Sequence, residues 1–89
     1  MAGDLQDLRS QIDAIDQSIL QTLKKRNELV AQIGKVKKSM DVPVGNQELE
    51  NQKLEKYTQT AEQLGVNQEL VQNLFEEIFW DARRIQDEI

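Results

Sequence analysis

Apolar residues in the first forty positions recur by threes and fours. Leu5, Leu8, Ile12, Ile15, Ile19, Thr22, Arg26, Leu29, Ile33, Val36 and Met40 keep that step without a break, which is the seam of a long packed helix. No proline interrupts it, so the pattern predicts one helix over residues 4–40. Asp4 is placed to cap this helix and Asp7 falls in its first turn, where negative charge is favoured. Gly34 lies inside it at a cost of about 1 kcal/mol against alanine, and such a glycine marks the close approach of another backbone or of a ligand. Two seam positions, Thr22 and Arg26, are polar and fall together in the middle. A cation on a buried stripe is costly unless something anionic meets it. What meets Arg26 is therefore the central question.

Asp41-Val-Pro-Val-Gly45 breaks the pattern, because Pro43 pushes Val42 out of the helical region and Gly45 permits a turn. Asn46 can cap a second helix over residues 47–64, with the stripe Leu54, Tyr57, Ala61 and Leu64. Extended back by four, this stripe lands on Glu50, so the helix begins with an inward-facing carboxylate, and Leu49 sits one step off. Gly65 suits a helix stop, and Asn67 caps a third helix over residues 68–89. Its stripe is Val71, Leu74, Phe75, Ile78, Phe79, Ala82, Ile85 and Ile89, with Gln86 at the edge. The expected fold is all-α, with one long and two shorter helices in a single helical domain spanning residues 1–89. At 1.5 Å per residue the first helix is about 55 Å long, against about 27 Å and 33 Å for the others. A lone chain would enclose a thin core. The economical arrangement is an intertwined homodimer, with the long helices paired antiparallel and the short ones wrapped outside.

Composition narrows the chemistry. The 89 residues contain neither Cys nor His, which removes thiol nucleophiles, thiolate metal sites and the commonest general base. No apolar run reaches the roughly 18 residues of a membrane span, and no basic-then-apolar leader opens the chain. A soluble cytoplasmic protein is expected, without membrane association. The net charge of −5 argues against nucleic acid as a partner. Yet Lys24, Lys25, Arg26, Lys35, Lys37 and Lys38 supply six of the eleven basic residues, with only Glu28 among them. Such a run suits a small anionic ligand, or else it is a solvated face whose lysines complement the helix C-terminus.

Arg26, Val30, Ile33 and Lys37 are spaced four, three and four, so Arg26 and Lys37 point within about 20° of each other and roughly 16 Å apart. Two such cations can bracket a small dianion. Singly, each candidate has an ordinary explanation. Lys37 would snorkel at the surface, Arg26 would pair with Glu50, Arg9 would sit on a rim beside Leu8 and Ile12, and Gln86 would face solvent or bond to backbone.

Three segments carry a resemblance: LRSQIDAIDQSILQTLKKRNELVAQIGKVK (Leu8 to Lys37), PVGNQELE (Pro43 to Glu50) and LFEEIFWDARRIQ (Leu74 to Gln86). In that order they resemble the all-helical class of chorismate mutase, over nearly the whole chain. The LRxxID start and the ten residues between Arg26 and Lys37 are the most specific part. The resemblance implies an intertwined homodimer with two shared active sites. It implies rearrangement of chorismate, a dianion, to prephenate on the way to phenylalanine and tyrosine, with no cofactor and no metal. Position by position, Arg26 would clamp a carboxylate and Arg9 of a second copy would bind another. Lys37 and Gln86 would hydrogen-bond the breaking ether, and Glu50 would accept from the ring hydroxyl.

Asn46 and Ala82 fall at substrate-contacting positions where the family has an Asp and a small polar residue such as Ser, and Leu49 stands where it usually has an Arg. A pericyclic rearrangement needs a held conformer and charge aimed at the departing oxygen, not a nucleophile. Arg at positions 9 and 26 suits bidentate carboxylate recognition. Two alternatives stay open. One is an isochorismate pyruvate-lyase-like enzyme of the same fold, which would keep the cations and change the ring-hydroxyl contacts near Asn46 and Leu49. The other is a non-catalytic helical dimerisation module. The chain could also be a complete small enzyme or a domain of a longer one.

Overall fold

A computed structural model describes residues 2–89. It is all-α, with α1 at Ala2–Ser39, α2 at Gln47–Leu64 and α3 at Gln68–Asp87, and no strand occurs among the described residues. The long helix starts two residues before the expected position. Asp4 lies in the first turn rather than at the cap, where its charge still complements the free N–H groups.

Each helix boundary has a local cause. α1 stops because Asp41 takes a positive φ of 57°. Val42 N–H then bonds back to the Lys37 carbonyl at 2.8 Å, and Asp41 N–H to that of Lys38 at 3.3 Å. This is the reverse-turn stop in which two last-turn carbonyls are satisfied, and aspartate is among the few residues other than glycine that tolerate it. α2 begins with the Asn46 side chain accepting from Leu49 N–H at 3.1 Å. It ends through the same stop, with Gly65 at φ 72° and Val66 N–H on the Ala61 carbonyl at 2.8 Å. Asn67 caps α3 by accepting from Leu70 N–H at 3.1 Å. α3 finishes at Asp87, two residues short of the expected end.

α3 lies between the other two helices and packs on both, while α1 and α2 do not touch each other. Its apolar stripe does the packing. Tyr57 of α2 meets Phe75 at 4.7 Å between ring centroids, and Phe75 meets Phe79 at 5.9 Å in a second tilted pair. Phe79, Ala61 and Val30 are buried.

The face that α1 offers to α3 differs from the seam. Leu23, Arg26, Val30, Gly34 and Lys37 are buried or half-buried. By helical geometry they centre about 90° round from Leu29, Ile33, Val36 and Met40. The apolar seam residues, from Leu5 to Met40, remain between 50% and 67% exposed. Residues 3–22 are exposed throughout, so the first half of α1 projects from a body whose extents are 59 × 25 × 15 Å. Among the described residues, no helix is long and apolar enough to cross a membrane.

Gly34 is the closest approach of α1 to α3. A Cβ there would stand 2.8 Å from Ile89 Cδ1 and 3.0 Å from Gln86 Cγ. Glycine at this point of a helix is unfavourable by itself and is retained because α3 needs the space. Gly34→Val should therefore lower the unfolding free energy by about 1–3 kcal/mol through overpacking, measured by urea titration followed by circular dichroism.

Candidate functional site

The docking of α3 over Gly34 opens a cleft of about 210 Å³ where the three helices and the α1–α2 connection converge. α1 contributes Arg26, Val30, Ile33 and Lys37; the connection and the start of α2 contribute Gly45, Asn46, Leu49, Glu50 and Lys53; α3 contributes Phe79, Ala82, Arg83 and Gln86. Six of the seven residues singled out from the sequence thus meet in one place. The seventh, Arg9, lies on the projecting and exposed half of α1, away from the cleft of its own chain.

Arg26 does not pair with Glu50. Its guanidinium lies 5.7 Å from the Phe79 ring centroid, and its buried Nη1 has no hydrogen-bond partner among the described residues. Glu50 pairs instead with Arg83, whose Nη1 donates to its carboxylate in a half-buried bridge. The ion-pair explanation of the polar seam position is therefore overturned. The ring face of Phe79 partly compensates the buried cation, but the inner N–H still lacks an acceptor. A buried donor of this kind is costly, and it belongs to a side chain that lines the cleft.

At the other end of the cleft, Lys37 Nζ donates to Gln86 Oε1 at 3.3 Å, and Gln86 Nε2 donates to the Val30 carbonyl at 3.1 Å. Gln86 thus bonds to both a backbone carbonyl and a cleft lysine. Gly34 is what lets its stem come so near to α1. The amide is held at both ends, its dipole aimed by α1. One N–H of Gln86 and further N–H donors of Lys37 remain for a bound molecule. Asn46 lines the cleft with its side-chain oxygen already engaged as the α2 cap. Ala82 and Leu49 supply apolar wall, and Leu49 is 45% exposed.

Two cleft cations were not singled out from the sequence. Lys53 stands one turn beyond Glu50, with Nζ 5.9 Å from the Phe79 ring centroid. Arg83 follows Phe79 by four residues and precedes Gln86 by three. That spacing places all three on one face of α3 and was the available signal. The cleft accordingly presents Arg26, Lys37, Lys53 and Arg83 against one carboxylate, Glu50. Its chemistry is that of an anion receptor with apolar walls and a preset neutral donor.

A family model described as chorismate mutase type II matches residues 8–87. The T-protein of Enterobacter agglomerans is 37% identical over 82 residues, which cover 92% of this chain and 22% of that protein. The T-protein of Haemophilus influenzae (strain ATCC 51907 / DSM 11121 / KW20 / Rd) is 39% identical over 70 residues, covering 79% of this chain and 19% of that protein. The chain therefore spans about a fifth of the length of these curated relatives.

Because Arg26 has no carboxylate partner among the described residues, Arg26→Met should leave the thermal midpoint nearly unchanged while weakening the binding of a small dicarboxylate by about tenfold or more, the size of a lost charge-assisted hydrogen bond. Differential scanning and titration calorimetry on the two proteins measure the two halves of this expectation.

Proposed function

The chain belongs to the chorismate mutase type II family, and we propose that it rearranges chorismate to prephenate in this cleft, in the synthesis of phenylalanine and tyrosine. The observation that carries the proposal is the inner nitrogen of Arg26, unpartnered among the described residues, on a side chain that lines a cleft whose far end holds the Lys37–Gln86 pair. A dianion with one carboxylate on Arg26 and its ether oxygen at Lys37 and Gln86 uses both features.

The roles follow from the groups. Arg26 fixes a carboxylate through its planar fork and restrains the reactive conformer. Lys37 and the free N–H of Gln86 face the ether oxygen as its bond to carbon lengthens and charge gathers there. Donors already in place need no reorganisation in the transition state. Glu50 is held by Arg83 through one oxygen, and its remaining lone pairs accept from the ring hydroxyl. Asn46, Leu49 and Ala82 shape the wall around the ring. The bonding changes are internal to the substrate, so the reaction as proposed uses no cofactor and no metal.

The exposed seam supports a homodimer. Apolar side chains in unbroken heptad order along a projecting helix, from Leu5 to Ile19, match the demand of a second long helix. In an antiparallel pair, Arg9 of one copy reaches the cleft of the other, where it binds the second carboxylate. A cytoplasmic location fits the aromatic amino acid pathway. A non-catalytic dimerisation module would have no use for an orphaned buried donor.

Purified protein should consume chorismate, followed by its absorbance, with prephenate as the product. Lys37→Ala should lower kcat/KM by about 10²–10³. Loss of chorismate no faster than in buffer would sink the proposal, and pyruvate release from isochorismate in its place would move the chain to the lyase chemistry. Separately, Ile12→Glu should convert a dimeric mass in sedimentation to a monomeric one and abolish turnover with it. A wild-type monomer that is fully active would exclude the shared site.

A further inference from the structure

Arg83 enters the cleft by an unusual route. Its stem crosses the α1–α2 connection at Gly45, where a Cβ would stand 3.2 Å from Arg83 Cδ and 3.9 Å from its Cγ. Gly45 also has φ of +82°, which only glycine adopts readily. One residue thus both turns the connection and clears the path for the arginine. The guanidinium then reaches Glu50, with side-chain exposures of 36% for Arg83 and 16% for Glu50. A pair of this burial is far less screened than a surface bridge. Nη1 is committed to Glu50, and the rest of the fork makes no other hydrogen bond among the described residues. The carboxylate partner therefore anchors one nitrogen of an arginine whose remaining donors make no other hydrogen bond among the described residues.

Resting on the proposed function, we propose that Arg83 binds a carboxylate of the dianionic substrate, with Glu50 and Gly45 as the residues that position it. Arg26 and Lys37 both come from α1, so Arg83 is the arginine that approaches from α3. α2 lines the cleft with Leu49, Glu50 and Lys53, so the cation it offers there is a lysine. A planar fork recognises a carboxylate better than a flexible ammonium does. Its contact is made in the ground state and kept in the transition state, so Arg83 acts on binding more than on turnover.

The test is steady-state kinetics on the intact protein with chorismate. Arg83→Gln should raise KM by about 10- to 100-fold, the scale of a lost hydrogen bond to a charged group, while kcat changes by less than about threefold. Arg83→Lys, which keeps the charge and loses the fork, should fall between. Leu49→Arg, added to Arg83→Gln, should recover most of the KM, because it returns an arginine to the same cleft from α2. A merely structural partner of Glu50 would not be rescued from position 49. An unchanged KM in a folded Arg83→Gln protein, a loss confined to kcat, or failure of the Leu49→Arg rescue would overturn the assignment. Wild-type protein that makes no prephenate would instead overturn the proposed function, and this assignment with it.

Discussion

The structure depends on one close approach, that of α3 to α1 over Gly34. The missing side chain lets the stem of Gln86 come against the helix, so that its amide bonds to the Val30 carbonyl and accepts from Lys37. The same contact seats Phe79 beside Arg26 and carries Arg83 to Glu50. Helix propensity alone would favour alanine at position 34. A local cost is accepted there so that three elements can converge on one cleft.

The cleft is organised by an unequal distribution of partners. Glu50 has Arg83, Lys37 has Gln86, and the inner nitrogen of Arg26 has none among the described residues. Fully paired cations would make a structural network with little left for a ligand. In the proposed function, leaving one donor unsatisfied, over an aromatic face that softens its burial, reserves its binding capacity for an incoming anion. On that reading the folded state would bear part of the cost of substrate recognition in advance, which is what preorganisation means in energetic terms.

Much of this was legible in the sequence, for identifiable reasons. Three helices were legible because heptad spacing, Asn46, Asn67, Gly65 and the Pro43 break are local signals. The meeting of Arg26, Lys37, Glu50 and Gln86 was reached through three segments of resemblance and through spacing on single helices. Two things were not legible. Arg83 as the partner of Glu50 was hidden, because pairing across helices depends on how α3 is rotated, and no local pattern encodes that rotation. The face of α1 used within the chain was also hidden. Leu23, Val30 and Gly34 form a weaker stripe than the seam, and a glycine in it contributes nothing to an apolar count. Asp41 as the stop of α1 was similarly masked by the more conspicuous Pro43 and Gly45.

The two faces of α1 have a consequence for how the protein behaves on dilution. The face toward α3 is satisfied within one chain at any concentration. In the proposed dimer the seam, with its side chains at least half exposed, is covered by a second molecule. Such association would add to the stability of the fold by mass action, so the melting temperature would rise with protein concentration instead of being a fixed property of the chain. The projecting half of α1 would loosen first as copies separate, since isolated helical segments of this length are marginal in water. Arg9 sits on that half. In the proposed dimer, dilution would therefore strip an arginine from each cleft before it unfolded the helices that build it.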